Sequence, residues 1–206
     1  TRLPGKVLLP AAGQPLLHYH VARLEASGLP LCLATTTHET DNPLARFAEH
    51  RCLALWRGSE AHVLSRYAEA ARALSLEAVV RVTSDCPLID GALIAQAAAQ
   101  FQAAAQAAPG EHIYLANTLE RTFPRGLDFE IFHAAALFDA AAAATLPGDI
   151  EHVTPFIHQN RSGRVRRISF TRQGVEPACA VPAAAFRLTL DVPDDYSLLK
   201  ELIEAH

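Results

Sequence analysis

Two aspartates stand where an apolar, strand-like segment gives way to a turn. Asp85 lies in Thr83-Ser84-Asp85-Cys86-Pro87-Leu88-Ile89-Asp90, and Asp191 lies in Leu188-Thr189-Leu190-Asp191-Val192-Pro193-Asp194-Asp195. Carboxylates just past strand ends sit at the mouth of a sheet. A hard cation such as Mg²⁺ takes their oxygens and keeps phosphate oxygens and water as its other ligands. Asp90 precedes Gly91 and a long helical run, which makes it a helix cap. Asp194 and Asp195 fall in the first turn of a Pro-led helix, where negative charge is favoured for structural reasons alone. Asp85 and Asp191 have no such role, and together they suit one Mg²⁺ that holds a phosphate chain. The segment Thr1-Arg2-Leu3-Pro4-Gly5-Lys6 supplies the opposite charge. Arg2 and Lys6 flank a Pro-Gly turn, and backbone N–H groups freed at Gly5 extend it into an anion-binding loop.

Such residues need a scaffold that gathers loop ends. Segments 29–35, 52–56, 78–83 and 186–190 read as strands from their β-branched or continuous apolar character, with 112–116 and 165–170 as weaker candidates. Helical patterns lie between them. Segment 15–27 carries Leu16, Leu17, Val21 and Leu24 on one face and stops at Gly28. Segment 43–50 has Asp41 and Asn42 as candidate caps and Pro43 at its first position. Segment 60–74 follows Ser59 as N-cap, and 90–107, the Ala-rich 134–144 and 193–206 complete the set. Strands alternating with helices predict one α/β domain over residues 1–206, three-layered with a mostly parallel sheet. Ligands of such sheets bind beyond the carboxyl ends of the strands, where Asp85 and Asp191 are expected.

The composition narrows the partners. Half of the 206 residues are hydrophobic, 19% are charged and the formal net charge is −4, a globular pattern without the basic face of a nucleic-acid binder. No apolar run approaches the roughly 20 residues that span a bilayer, so no membrane partner is expected. The basic run 161–167 reads as a solvated turn and strand edge. The four cysteines, Cys32, Cys52, Cys86 and Cys179, show no CxxC spacing, so neither a zinc site nor a disulfide framework is indicated and a cytoplasmic location is expected. Of the ten histidines, His18 and His20 point apart on a helix, most others stand singly, and His152 beside Glu151 is the one that invites a role in a site. No signal peptide is read, and the absence of methionine, with Thr1 inside a loop-like segment, suggests a trimmed start.

Taken in order, RLPGK at 2–6, ATTT at 34–37, RGSEAHVLSRY at 57–67, TSDCPLID at 83–90, NTLERTFPRGLDFEIF at 117–132, EHVTPFI at 151–157 and LTLDVPDD at 188–195 run along the whole chain. This ordered set resembles the cytidylyltransferases of spore-coat polysaccharide and acylneuraminate type, a group similar to CMP-sialic acid and CMP-Kdo synthetases. The resemblance implies a Rossmann-like nucleotide-diphospho-sugar transferase fold, CTP and a sugar or sugar acid as substrates, Mg²⁺ as cofactor and a homodimer. Carried over by motif, Arg2, Gly5 and Lys6 contact the triphosphate. Thr35, Thr36, Gly58, Ser59 and Arg66 line the cytidine pocket, and Asp85 and Asp191 hold the metal. Asn117, Arg121, Asp128, Glu130, Glu151 and His152 face the sugar, with Arg2, Lys6 and Asp85 as the catalytic set. Related sequences begin with a strand and an Ala-Arg-x-x-Ser run ahead of RLPGK that this sequence does not contain, and they usually have Gly where Ser84 stands.

The implied chemistry is an in-line attack of a sugar hydroxyl on the α-phosphorus with pyrophosphate leaving. Cations offset the phosphate charge and positioning supplies most of the rest. A metal-bound oxygen, or a nearby carboxylate such as Asp128 or Glu130, is a candidate general base. Alternative readings are a nucleotidyltransferase that uses another nucleotide or acceptor, and an inactive, nucleotide-binding relative.

Overall fold

The computed structural model describes residues 3, 5–172 and 182–205. A 3₁₀ turn, Lys6–Leu8, leads into a small antiparallel hairpin of β1 (Pro10–Ala11) and β2 (Gln14–Pro15). There follow α1 (Leu16–Glu25), β3 (Cys32–Thr36), α2 (Asn42–His50), β4 (Ala54–Gly58), α3 (Val63–Ala73), β5 (Ala78–Arg81), α4 (Gly91–Ala107) and β6 (His112–Ala116). The chain continues through β7 (Glu130–His133), α5 (Ala134–Ala143), α6 (Pro147–His152), α7 (Pro155–His158), β8 (Val165–Ser169) and α8 (Pro193–Glu204). No helix among the described residues is long and apolar enough to cross a membrane.

The α/β architecture matches the sequence reading, but the sheet is mixed rather than mostly parallel. β3 and β4 pair in parallel, and the four-stranded sheet has the order β5-β7-β6-β8. β7 lies between β5 and β6 and runs antiparallel to both, whereas β6 and β8 are parallel. The four residues of β7 fall outside the expected strands, because so short a run carries too little periodicity to separate it from the flanking loop. Segment 186–190, expected as a core strand, is instead extended chain with a single parallel bridge, Arg125 to Arg187. Its partners are a loop and a turn: the Arg125 N–H donates to Phe186 O, the Leu188 N–H to Arg125 O, and the Leu190 N–H to Asp85 O at 2.8 Å.

Alternation along the sheet sends side chains to two separate cores. Val79, Tyr114, Ala116, Phe132 and Val165 face one way, onto Leu64 and Ala68 of α3 and Leu137 and Ala140 of α5. Ile113, Leu115 and Ile131 face the other way, onto Ile94, Ala97 and Phe101 of α4. Helices therefore cover both faces. A third cluster, Ala11, Leu16, Leu190 and Leu199, joins the N-terminal turn and α1 to α8 beneath the 188–191 segment. The Tyr196 hydroxyl donates to Pro10 O at 2.6 Å and the Tyr19 hydroxyl to Ala11 O at 2.8 Å, which fixes the same junction.

The basic run spans the turn before β8, where Arg161 pairs with the buried Asp149, and the first residues of β8 itself, where Arg166 and Arg167 at the edge of the sheet discourage pairing with another chain. Arg164 reaches Asp139 and Arg166 reaches Glu111 as exposed ion pairs. Asp90 caps α4 as expected, accepting from the Ala92 and Leu93 N–H groups at 2.8 and 3.2 Å. The next residue, Gly91, lies against the end of α1 so tightly that a Cβ there would be 2.2 Å from Arg23 O and 2.7 Å from Ser27 N. Both contacts are backbone and cannot move aside as a side-chain tip would. Gly91→Ala is therefore expected to lower the unfolding free energy by about 1–3 kcal/mol in urea titrations, through overpacking. Gly148→Ala, where a Cβ meets nothing within 4 Å, is expected to be close to neutral in the same measurement.

Candidate active site

The ends of the strands define the mouth. Arg81 pairs with Glu130 across β5 and β7, Ala116 pairs with Glu130 across β6 and β7, and Ala116 pairs with Ser169 across β6 and β8. The carboxyl ends of β5, β6 and β8 and the start of β7 therefore share one rim. Asp85 follows β5 on this rim, Asn117 follows β6, and the Leu190 N–H bond to Asp85 O brings Asp191 beside them.

Lys6 is the centre of this constellation. Its ammonium donates to Leu190 O at 2.6 Å and to Asp191 Oδ1 at 3.0 Å, and lies 3.7 Å from Asp85 Oδ2. The second oxygen of each carboxylate is held by the scaffold. Thr83 Oγ1 donates to Asp85 Oδ1 at 2.5 Å, and Arg187 Nη2 donates to Asp191 Oδ2 at 2.7 Å. Asp195 accepts from the Asp191 and Val192 N–H groups and pairs with Arg187, so its first-turn position also shapes the Asp191 loop. Gly5 takes φ +63°, the left-handed conformation that starts the Lys6 turn. Arg2 lies outside the described residues.

The Asp85 turn is anchored from behind. His20 on α1, 3% exposed, places Nδ1 2.8 Å from Cys86 O. A carbonyl only accepts, so Nδ1 carries the proton. Burial lowers the His20 pKa, against the opposing effects of that hydrogen bond and of the Asp85 charge. Burial, then the neighbouring Asp85 charge, pushes the Cys86 thiol up to about 12, so it stays protonated and is no nucleophile.

The residues expected around the nucleoside also come together. Thr36 pairs with Gly58 across β3 and β4, and Arg66 on α3 packs against Gly58 and donates to Ser59 O at 2.8 Å. The Arg66 Nε is buried with no hydrogen-bond partner among the described residues, a donor that a bound molecule could use. Ser59 lies before α3 and accepts from the His62 N–H, while His62 itself caps the helix through the Ser65 N–H. Both threonine hydroxyls are turned inward. Thr35 Oγ1 and Thr36 Oγ1 donate to Asp41 Oδ2 at 2.7 and 2.6 Å, so Asp41 ties down the loop where a cap for α2 was expected. Arg57 closes the same loop by donating to Thr36 O, His38 O and Asn42 Oδ1.

The third group surrounds the 117–130 loop. Asn117, 1% exposed, donates to Leu127 O and accepts from the Phe129 N–H, which folds the loop back on itself. Arg121 grips Asp128 with two hydrogen bonds, at 2.7 and 3.1 Å. Glu130 receives Arg81 at 2.5 Å, the Tyr114 hydroxyl at 2.6 Å and the Thr154 hydroxyl at 2.7 Å. Gly126, at φ +100°, lies so near Leu188 that a Cβ would be 2.6 Å from its carbonyl. The loop is thus sewn to the extended segment that leads to Asp191. Glu151 and His152 are exposed at the end of α6. The following Val153 is strained, with φ 71° and ψ −53°, a region that a β-branched residue rarely enters. This turn presents Thr154 to Glu130, through the Thr154 N–H to His152 O bond at 2.8 Å.

Arg57, Arg81, Arg187, Asp41, Tyr114 and Thr154 were not among the expected site residues. Arg57 and Thr154 sit inside the motifs noted above, and the RxTSD spacing of Arg81 was a further available signal. Arg187 stands directly before the 188–195 motif and four residues from Asp191, whereas Tyr114 had no such signal, since its role depends on a partner 16 residues away.

Arg81 and Glu130 are 17% and 12% exposed, so removing one leaves the other buried and uncompensated. Glu130→Ala is expected to lower the unfolding free energy by about 3 kcal/mol, read from the shift of the urea midpoint. Asp41 behaves differently. Burial raises its pKa, but the hydrogen bonds from Thr36 and Thr35 and the Arg57 charge outweigh that and hold it below the ordinary value. Its contribution is therefore complete above the unfolded carboxylate value of about 3.9 and is lost as pH falls through the folded one. The stability gap between the wild type and Asp41→Ala should be constant near neutrality and shrink in acid, measured by urea unfolding across pH.

Known proteins resemble this chain along its length. It is 30% identical over 212 residues to the spore coat polysaccharide biosynthesis protein SpsF of Bacillus subtilis (strain 168), covering 99% of this chain and 82% of that one. It is 36% identical over 110 residues to the 3-deoxy-manno-octulosonate cytidylyltransferase of Aeromonas salmonicida (strain A449), half of this chain and 42% of that one. The solved structure of a cytidylyltransferase from Leptospira borgpetersenii serovar Hardjo-bovis (strain JB197) superposes with a TM-score of 0.84 at 28% identity, over 100% of this chain and 82% of that one. The cytidylyltransferase family model matches residues 1–206, and the chain belongs to that family.

Proposed function

We propose that this cytidylyltransferase transfers CMP from CTP to a sugar or sugar acid, with release of pyrophosphate, in the synthesis of a surface polysaccharide. The observation that carries the reading is the meeting of Lys6, Asp85 and Asp191 on one rim. The polysaccharide role named for the Bacillus relative and the sugar-acid substrate named for the Aeromonas relative support the choice of acceptor class.

Among the described residues no three His, Cys, Asp or Glu side chains gather as a metal cage. Asp85 and Asp191 nonetheless fit a divalent ion, because a cationic ammonium already lies against one oxygen of each. They would hold Mg²⁺, with phosphate oxygens and water as further ligands. The ion would draw charge from the phosphate oxygens as the bond to pyrophosphate breaks.

The protein's own groups do the remaining work. Lys6, with Arg2 outside the described residues, would neutralise the triphosphate, and Gly5 would let the backbone approach it. Gly58, Ser59 and Arg66, whose Nε has no hydrogen-bond partner among the described residues, would bind the nucleoside, with Thr35 and Thr36 shaping the adjoining loop through Asp41. Asn117, Arg121, Asp128 and Glu130 would frame the sugar, with Glu151 and His152 at its exposed side. Both candidate bases are engaged, Glu130 by three donors and Asp128 by two hydrogen bonds from Arg121, so either would have to release a donor before taking the hydroxyl proton. Homodimeric assembly, which the resemblance implies, and the cytoplasmic location expected from the cysteine pattern complete the reading.

Asp85→Asn should abolish Mg²⁺-dependent pyrophosphate release while circular dichroism and the thermal midpoint stay near wild type. Pyrophosphate release assayed with each of CTP, UTP, ATP and GTP over a panel of sugars should be confined to CTP. Near-normal turnover of Asp85→Asn would sink the assignment, and preference for another nucleotide would reassign the base.

A further inference from the structure

We infer that Lys6 is a surrogate cation that couples metal binding to nucleotide binding: its ammonium occupies the approach to Asp85 and Asp191 and must leave when a divalent ion enters. The inference rests on the proposed metal role of those two carboxylates. It goes further in assigning Lys6 two positions and an energetic link between two ligands.

The oxygens tell the two directions apart. Asp85 Oδ1 is engaged by Thr83 and Asp191 Oδ2 by Arg187, both side chains rooted in the scaffold. Asp85 Oδ2 and Asp191 Oδ1 are the oxygens turned toward Lys6, at 3.7 and 3.0 Å. These are the oxygens the two carboxylates would offer a divalent ion, since the other two already accept hydrogen bonds from the scaffold. An ammonium and a metal ion cannot both stay there, because like charges a few ångströms apart repel strongly in a partly desolvated rim. Lys6 is 22% exposed, so one side of it is already open for departure.

Where Lys6 goes decides the coupling. Leaving costs it the hydrogen bond to Leu190 O at 2.6 Å as well as the ion pairs. Water alone returns little of this, whereas a bound triphosphate would offer the ammonium a new anionic partner. Metal entry is therefore opposed in the nucleotide-free protein and favoured when the triphosphate receives Lys6. Two ligands that share such an element must each raise the affinity of the other by the same factor. In the resting state the same ammonium keeps two neighbouring carboxylates from repelling each other, so the site is held in shape without an ion.

The test measures binding of Mn²⁺, followed by the loss of the free-ion paramagnetic resonance signal, without nucleotide and then with the non-cleavable analogue α,β-methylene-CTP. Lys6→Met should bind Mn²⁺ alone about fivefold tighter than wild type, and the analogue should enhance Mn²⁺ binding less than it does in wild type. Lys6→Gln, which keeps a donor for Leu190 O, should show the same direction and guards against a folding defect in Lys6→Met. Unchanged or weaker Mn²⁺ binding in both Lys6 variants, while Asp85→Asn and Asp191→Asn weaken it, overturns the exchange and leaves the metal site standing. Mn²⁺ affinity indifferent to both Asp→Asn changes overturns the metal site and the exchange with it.

Discussion

Two carboxylates held side by side at the rim of a sheet need a cation between them, and much of this structure serves that requirement. Lys6 meets it from a turn that precedes every named strand, 79 residues before Asp85 and 185 before Asp191. Bringing three such distant points together takes the third hydrophobic cluster, which clamps the N-terminal turn, α1 and α8 under Leu190. Charge neutrality at the site and burial beneath it are thus one constraint. The apolar contacts supply the favourable free energy, and the ion pairs, partly exposed, supply geometry more than stability.

The same division of labour recurs in the other two groups. Asp41 draws in both threonine hydroxyls and Arg57 bonds the adjoining carbonyls, so the loop after β3 is tied down by the protein's own hydrogen bonds. Asn117, the Arg121–Asp128 pair and Gly126 fold the long loop after β6 onto the 186–190 segment. Preorganisation of this kind lowers the cost of ordering a site at the moment of binding. The strain at Val153 is held by its surroundings: the side chain is fully buried and the next residue is bonded to Glu130. Strained backbone of this sort gathers where a site needs a side chain at an unusual angle.

Local chemistry makes several features legible from the residues alone. Asp90 as a cap, Gly28 as a stop, Asp85 in the turn after β5 and the helices between strands all depend on neighbours a few residues apart, and each lies near its expected place. Boundaries move by two or three residues where turns intervene, as at Ser59, which caps the turn before α3 rather than the helix itself. β7 and the direction of its pairing were not legible, because whether a short apolar run slots between β5 and β6 depends on where the 117–129 loop returns the chain.

The residue types and their order along the chain were enough to indicate phosphate and metal chemistry, the α/β class and the family. They specify which groups can bear charge, and local periodicity specifies the helices that carry them. Which carboxylate oxygen faces Lys6, which threonine hydroxyl is already committed to Asp41, and that Glu130 is gripped by Arg81 and Tyr114 were decided only by the tertiary structure. Those facts are distances between groups remote in sequence. They follow from how two hydrophobic faces and a mixed sheet close around the rim, not from any spacing along the chain.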